Sequence, residues 1–126
     1  MIIGGVAGGA STAARLRRLD EQAEIILFEK GEYISYANCG LPYYIGGVIE
    51  ERERLFVQTP ESFKARFNIE VRIKSEVKAI EPENKQVVIK DWATGKTYRE
   101  SFDKLVLSPG AEPVLPPWEG IRTEGI

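Results

Sequence analysis

The chain has 126 residues, a formal net charge of −2, 43% hydrophobic and 29% charged residues. That is enough for one domain around one core and an ordinary soluble composition. It argues against a dedicated nucleic-acid binder, and no apolar run is long enough to span a bilayer as a helix.

Ile2-Ile3 reads as the end of a strand, and Gly4-Gly5-Val6-Ala7-Gly8-Gly9 as a turn. The spacing of Ala10, Ala13, Ala14, Leu16 and Leu19 predicts a helix from Ala10 to Leu19, ended by Asp20-Glu21-Gln22. Glu24 to Phe28 is a second strand, apolar throughout from Ile25, as a parallel strand covered on both faces requires. Together these form a βαβ unit of the usual ~30 residues. Gly31 to Gly47 is a loop leading into a short helix. Thr59 is the predicted N-cap of a further helix, with Pro60 in its first position and Phe63 and Phe67 on its apolar side. Glu70 to Lys74 and Val77 to Ile80 read as strands. Gln86 to Asp91 and Thr97 to Phe102 form a hairpin around Ala93-Thr94-Gly95-Lys96. Leu105-Val106-Leu107 is a buried strand ending at Ser108-Pro109-Gly110. No repeat or low-complexity segment interrupts this order. It predicts an α/β fold: a three-layer nucleotide-binding domain, a Rossmann-like βαβ with an inserted antiparallel β-meander.

Both ends read as cut. Three residues precede the first glycine, fewer than the about five of a typical strand. Pro113, Pro116, Pro117, Trp118 and Gly120 run to Ile126 without a closing element. Residues 1–112 are expected to form the first part of one domain, and 113–126 a linker toward another. No basic-then-apolar leader precedes the first strand.

The glycine turn sits where a dinucleotide fingerprint belongs. G-x-G-x-x-G needs a tight turn, close backbone approach to a pyrophosphate and close helix–strand packing. Gly4 and Gly9 occupy its first and third positions, and Val6 departs from it in the middle. Glu29 lies 20 residues after Gly9 at the end of the second strand, where an acid accepts hydrogen bonds from ribose hydroxyls. The helix N-terminus at about Gly8-Gly9-Ala10 would offer backbone N–H groups to the pyrophosphate. The fingerprint alone does not separate FAD from NAD.

The one cysteine is the second candidate. Ser35-Tyr36-Ala37-Asn38-Cys39-Gly40-Leu41-Pro42-Tyr43-Tyr44 follows the second strand almost at once. Asn38 is predicted as an N-cap, and Pro42 suits a first helical turn. A thiol at a helix start feels the positive end of the dipole, which favours the thiolate. Dithiol reductases place a second Cys five residues after the first, and here that position is Tyr44. With a single Cys no internal disulfide can form, so Cys39 must cycle through a mixed disulfide, a persulfide or a sulfenic acid. A lone thiol fits a reducing, cytoplasmic setting. The chain has no His, which excludes His-based triads and His-rich metal sites, and no metal is expected.

At these residues the sequence resembles the coenzyme A-disulfide reductase family, including relatives with a fused rhodanese domain that reduce persulfides or polysulfides. The resemblance runs the length of the chain. It is carried by Gly4 to Ala10, Leu16 to Asp20, Phe28-Glu29-Lys30, Ser35 to Tyr44 and Asp103 to Ala111. The Asn-Cys-x-Leu-Pro-Tyr run is its most specific part, and the family also carries Val at the position of Val6.

The resemblance implies that Gly4, Gly5, Val6, Ala7, Gly8 and Gly9, with Glu29 and Lys30, hold the ADP half of FAD. Val77 would meet the adenine through its backbone, and Ser108, Pro109 and Gly110 would pass near the flavin nucleotide. It implies that Cys39 faces the flavin and forms a mixed disulfide with coenzyme A, with Ser35 and Asn38 at the bound thiol substrate. Ser11, Arg15 and Arg18 match positions that contact coenzyme A, Arg18 most closely. Guanidinium groups suit that role because they can take phosphate oxygens bidentately. NAD(P)H would be the co-substrate, bound by a domain outside these residues, in a full-length homodimer. A near relative, NADH oxidase or peroxidase, cycles one Cys through a sulfenic acid, and turnover with coenzyme A disulfide against hydrogen peroxide separates the two. A third expectation is a nucleotide-binding fragment without turnover on its own.

Overall fold

A computed structural model describes residues 1–112 and 114–124. Positions 113, 125 and 126 of the expected linker lie outside the described residues. Four strands, β1 (Ile2–Ile3), β2 (Ile26–Phe28), β3 (Glu70–Arg72) and β7 (Val106–Leu107), form a parallel sheet in the order β3-β2-β1-β7. Between them run helices α1 (Ala7–Leu19), α2 (Leu41–Ile45) and α3 (Pro60–Phe67). The remaining strands, β4 (Ser75–Glu81), β5 (Gln86–Asp91) and β6 (Thr97–Ser101), form an antiparallel meander in sequence order.

The unbroken apolar run of β2 is explained by its two covered faces. Ile25 and Leu27 join one core with Ile2, Ala10, Ala13, Ile34, Phe63 and Ile69, on the side of α1 and α3. Ile26 and Phe28 point the opposite way, into a second core with Val87 and Ile89 of the meander. Alternation along a strand sends neighbouring side chains to opposite faces. The sheet is therefore the middle of three layers, helices on one side and meander on the other. Phe28 is 1% exposed, and burying such a side chain contributes about 1.5–3 kcal/mol.

The helices begin and end where local chemistry allows, with two departures from expectation. Thr59 caps α3 as predicted: its Oγ1 accepts from Ser62 N at 3.2 Å, and Ser62 Oγ accepts from Thr59 N at 2.9 Å. Asn68 closes the same helix in the left-handed conformation, φ 48°. By contrast, α1 starts at Ala7, three residues before the predicted Ala10. Helix propensity counts against Gly8 and Gly9, but both lie in the first turn, Gly9 close against the Gly4 carbonyl and Ile2, and Gly8 beside the Ser108 side chain. Asn38 is not an N-cap. It opens a 3-10 turn, Asn38–Gly40, that runs directly into α2, whose cap is Gly40, and no side chain caps either one.

A third departure concerns β3. The sequence reads a strand from Glu70 to Lys74, whereas the structure ends it at Arg72 and pairs Glu70, Val71 and Arg72 with Ile26, Leu27 and Phe28 in the parallel sheet. Arg72 then ties the sheet to the meander. Its guanidinium donates to Glu70 at 2.6 Å, Glu100 at 2.5 Å and Tyr98 Oη at 3.2 Å, and lies over the Phe28 ring. Burial works against the Arg72 charge, but Glu100, Glu70 and Tyr98 outweigh it and raise its affinity for the proton.

Candidate dinucleotide and thiol site

The carboxyl ends of the parallel strands gather the fingerprint. Gly4 follows β1 with φ +95°, and a Cβ there would stand 1.9 Å from the Ser108 carbonyl oxygen. A Cβ on Gly9 would stand 1.7 Å from the Gly4 carbonyl oxygen. Only glycine permits these two approaches, which accounts for the first and third fingerprint positions. The segment after β7 is held against the turn by Ser108 N donating to Ile3 O at 2.8 Å. Gly8 lies opposite the Ser108 side chain, whose Oγ would be 3.3 Å from an added Cβ.

Glu29 locks the turn from the other side. Its two carboxylate oxygens accept from Gly5 N at 2.7 Å and Gly31 N at 2.8 Å. Each oxygen keeps a second lone pair for a ribose hydroxyl. No side chain caps the N-terminus of α1, and its first turn holds no acidic residue. The orphan N–H groups of that turn are thus left for an anion, and the 13-residue helix puts its positive end there. Backbone approach, free amides and a ribose-type acid together fit the ADP half of a dinucleotide such as FAD.

The turn also positions the loop that carries the thiol. Ser35 N donates to Gly5 O at 2.9 Å, and Val57 N to Ser35 O at 2.8 Å. Ser35 itself has φ 48°. Ala37 N donates to Leu55 O at 2.8 Å, and a Cβ on Gly40 would meet Leu55 Cδ2 at 2.7 Å, so the 3-10 turn is pressed onto that buried leucine. Cys39 is exposed in the middle of this turn. With five residues, α2 accumulates little dipole behind it.

The other predicted residues divide into three groups. Ser11 and Ser35 come together, lining a cleft of about 200 Å³ between α1 and α3 with Val6, Ala7, Gln58 and Phe67. Val6 is partly buried where it lines this cleft. Asn38 is exposed beside Cys39, and Arg15 and Arg18 are exposed on α1. Neither arginine has a hydrogen-bond or ion-pair partner among the described residues. Val77 belongs to the meander and packs toward Phe28; the β4–β5 register slips between Val77 and Ala79. Pro109 and Gly110 are exposed beyond β7, and Lys30 forms an ion pair with Glu112. A larger hollow, about 800 Å³, is lined only by residues 115–123 and touches none of these positions.

Sequence reasoning missed Arg17, which stands between the two arginines it singled out. Arg17 donates to the carbonyls of Phe67 at 2.7 Å, Asn68 at 3.0 Å and Glu21 at 2.6 Å, fastening the end of α1 to the end of α3. Its partners at the end of α3, Phe67 and Asn68, lie about 50 residues away, so nothing local to α1 marks that contact. Glu112 was missed for the same reason, its partner Lys30 being 82 residues away. Among the described residues no cluster of His, Cys, Asp or Glu is placed to hold a metal ion, and no helix is long and apolar enough to cross a membrane.

Residues 1–126 match the family described as pyridine nucleotide-disulphide oxidoreductase. The chain is 48% identical over 111 residues to the coenzyme A disulfide reductase of Staphylococcus epidermidis, covering 88% of this chain and 25% of that protein. Its fold is similar to reduced Bacillus anthracis CoADR-RHD, with TM-score 0.92 and 60% identity over 95% of this chain and 22% of that one. It is also similar to a NAD-dependent persulfide reductase from A. fulgidus, with TM-score 0.93 and 39% identity over 98% of this chain and 23% of that one. The chain spans about a quarter of the length of the curated relatives it matches.

Proposed function

Because the chain belongs to the pyridine nucleotide-disulphide oxidoreductase family, we propose that it carries the first dinucleotide half-site and the reactive thiol of an FAD-dependent reductase. That enzyme would use NAD(P)H to reduce coenzyme A disulfide or a related persulfide or polysulfide. One observation carries the reading. The Gly5 carbonyl of the glycine turn holds Ser35 N, and four residues later the only thiol of the chain stands exposed. The turn suited to a pyrophosphate thus anchors the loop that presents Cys39. The relatives named for coenzyme A disulfide and persulfide reduction support the substrate class.

In this reading Gly4 to Gly9, Glu29 and Lys30 hold the ADP half of FAD, with the Val77 backbone at the adenine and Ser108 to Gly110 passing the flavin nucleotide. Ser11, Arg15 and Arg18 receive the phosphates of coenzyme A, and Ser35 and Asn38 flank its sulfur. Bound FAD would supply the two electrons drawn from NAD(P)H. The Cys39 thiolate attacks one sulfur of the disulfide; the Cys39–sulfur bond forms, the substrate S–S bond breaks, and the first thiolate leaves. Two electrons then open the mixed disulfide, the second thiol leaves with a proton from solvent, and Cys39 returns as thiolate.

The test replaces the matching part of Bacillus anthracis CoADR-RHD with this chain and compares Cys39 with Cys39→Ser. The serine variant should keep its flavin absorbance and lose disulfide turnover by at least about 100-fold, as loss of a nucleophile does. Turnover at the unmodified rate would rule out the mechanism.

A further inference from the structure

We propose that the Lys30–Glu112 ion pair is a strap drawn across the mouth of the dinucleotide crevice, which must part each time a dinucleotide enters or leaves. The proposal rests on the dinucleotide reading given above. Its basis is the order of the sheet. β1 lies between β2 and β7, and all three run parallel, so their carboxyl ends share one edge. The end of β1 is the glycine turn. The end of β2 leads through Glu29 to Lys30, and the end of β7 leads through Ser108 to Glu112. Lys30 and Glu112 are 82 residues apart in the chain and meet side chain to side chain. A link from β2 to β7 has to pass over the end of β1. Here the chain order also reverses, with β2 on one side of β1 and β7 on the other, and ligands of open α/β sheets bind at such a point.

Both legs of the strap stand on fixed ground. Glu29, next to Lys30, is held by two backbone N–H groups, and Ser108 is held by Ile3 O. What can move is short: the two side chains and the residues from Pro109 to Glu112, with Gly110 at φ +74° among them. The pair itself is exposed, with side chains 53% and 78% accessible. Exposed ion pairs are weak and screened by salt, so this one can bias the crevice toward closure and still open at every binding event. Each partner reinforces the charge of the other: the hydrogen bond and charge of Glu112 hold the Lys30 ammonium above its ordinary value, and those of Lys30 hold Glu112 below its own.

The experiment uses the chimaera described above, stripped of flavin, and follows FAD binding by stopped-flow flavin fluorescence with and without Glu112→Gln. A strap slows entry and exit alike. Its removal should accelerate both association and dissociation about two- to fivefold, a range set by the weakness of exposed pairs, and leave the equilibrium affinity nearly unchanged. Salt at about 1 M, where the Debye length is about 3 Å, should speed release from the unmodified chimaera more than from the variant. Unchanged rates would overturn the strap. So would slower release from Glu112→Gln, because removing a carboxylate that merely repels the pyrophosphate strengthens binding. Failure of the unmodified chimaera to bind FAD would overturn the dinucleotide reading and the strap with it. Binding with equal rates in both chimaeras would overturn the strap alone.

Discussion

Gly9 lies so close to Gly4 that a first side-chain carbon on Gly9 would stand 1.7 Å from the Gly4 carbonyl oxygen. The contact is backbone against backbone, so no side chain can swing aside. Gly9→Ala should cost about 3 kcal/mol or more by forcing the helix off the turn, read as a fall in thermal midpoint together with loss of FAD binding. Gly8→Ala is the control. Its added carbon meets only the Ser108 side chain, at 3.3 Å from Oγ, and that hydroxyl can rotate. It should cost less than about 1 kcal/mol, the scale of ordinary surface changes.

Glu29 bridges Gly5 N and Gly31 N with its two oxygens. Glu29→Gln keeps the shape but sets an amide donor against one of those donors. Loss of one charge-assisted bond should destabilise the chain by about 1–3 kcal/mol. Because the same carboxylate faces the expected ribose, FAD affinity should fall further than stability does. Chemical denaturation and flavin titration on one variant separate the two effects.

Arg72 is the joint between parallel sheet and meander, reached by Glu70, Glu100 and Tyr98 and stacked over Phe28. Arg72→Met should cost about 1–2 kcal/mol, a modest figure because the carboxylates it leaves behind can still reach water. Amide hydrogen exchange should rise first in β5 and β6, which lean on the sheet through this contact. Uniform exchange across the chain would show that the joint is not where the layers are coupled.

Asp91 organises the β5–β6 turn. Its carboxylate accepts from the Thr94 hydroxyl at 2.7 Å and from the backbone N–H of Ala93 at 2.8 Å and Thr94 at 3.2 Å. The Thr94 side-chain bond, then the backbone bonds of Thr94 and Ala93, hold its affinity for the proton below the ordinary aspartate value of 3.8. A carboxylate that binds its proton less readily when folded contributes stability above the unfolded value, and that stability is lost as pH falls through the lower folded value. Acid should therefore loosen this turn below about pH 4. Asp91→Asn should show the looser turn already at neutral pH and a smaller change on acidification, measured by amide exchange at Gly95 and Lys96.

What could be read from the sequence was whatever depends on near neighbours. The four apolar residues at Ile25 to Phe28 announce a strand covered on both faces, and β2 is shared between two cores. The glycine spacing announces a turn with no room for side chains, and Gly4 and Gly9 have none to spare. Thr59-Pro60 announces the start of α3 because a cap and its partner sit within one turn. A single cysteine with Tyr44 five residues on excludes an internal dithiol by counting alone.

Only the tertiary structure could decide matters that depend on residues far apart in the chain. The close approach of Gly9 to Gly4 and Ile2, and of Gly8 to Ser108, goes with a start of α1 three residues early, against the helix propensity of both glycines. Pairing with β2 takes β3 into the parallel sheet rather than the ribbon. Arg17, not Arg15 or Arg18, finds carbonyls some 50 residues away, and Lys30 finds Glu112 at a separation of 82. Periodicity and capping report on one turn of helix or one step of strand. Which distant groups meet is set by how the layers stack, and that is settled only when the cores around Leu27 and Phe28 close.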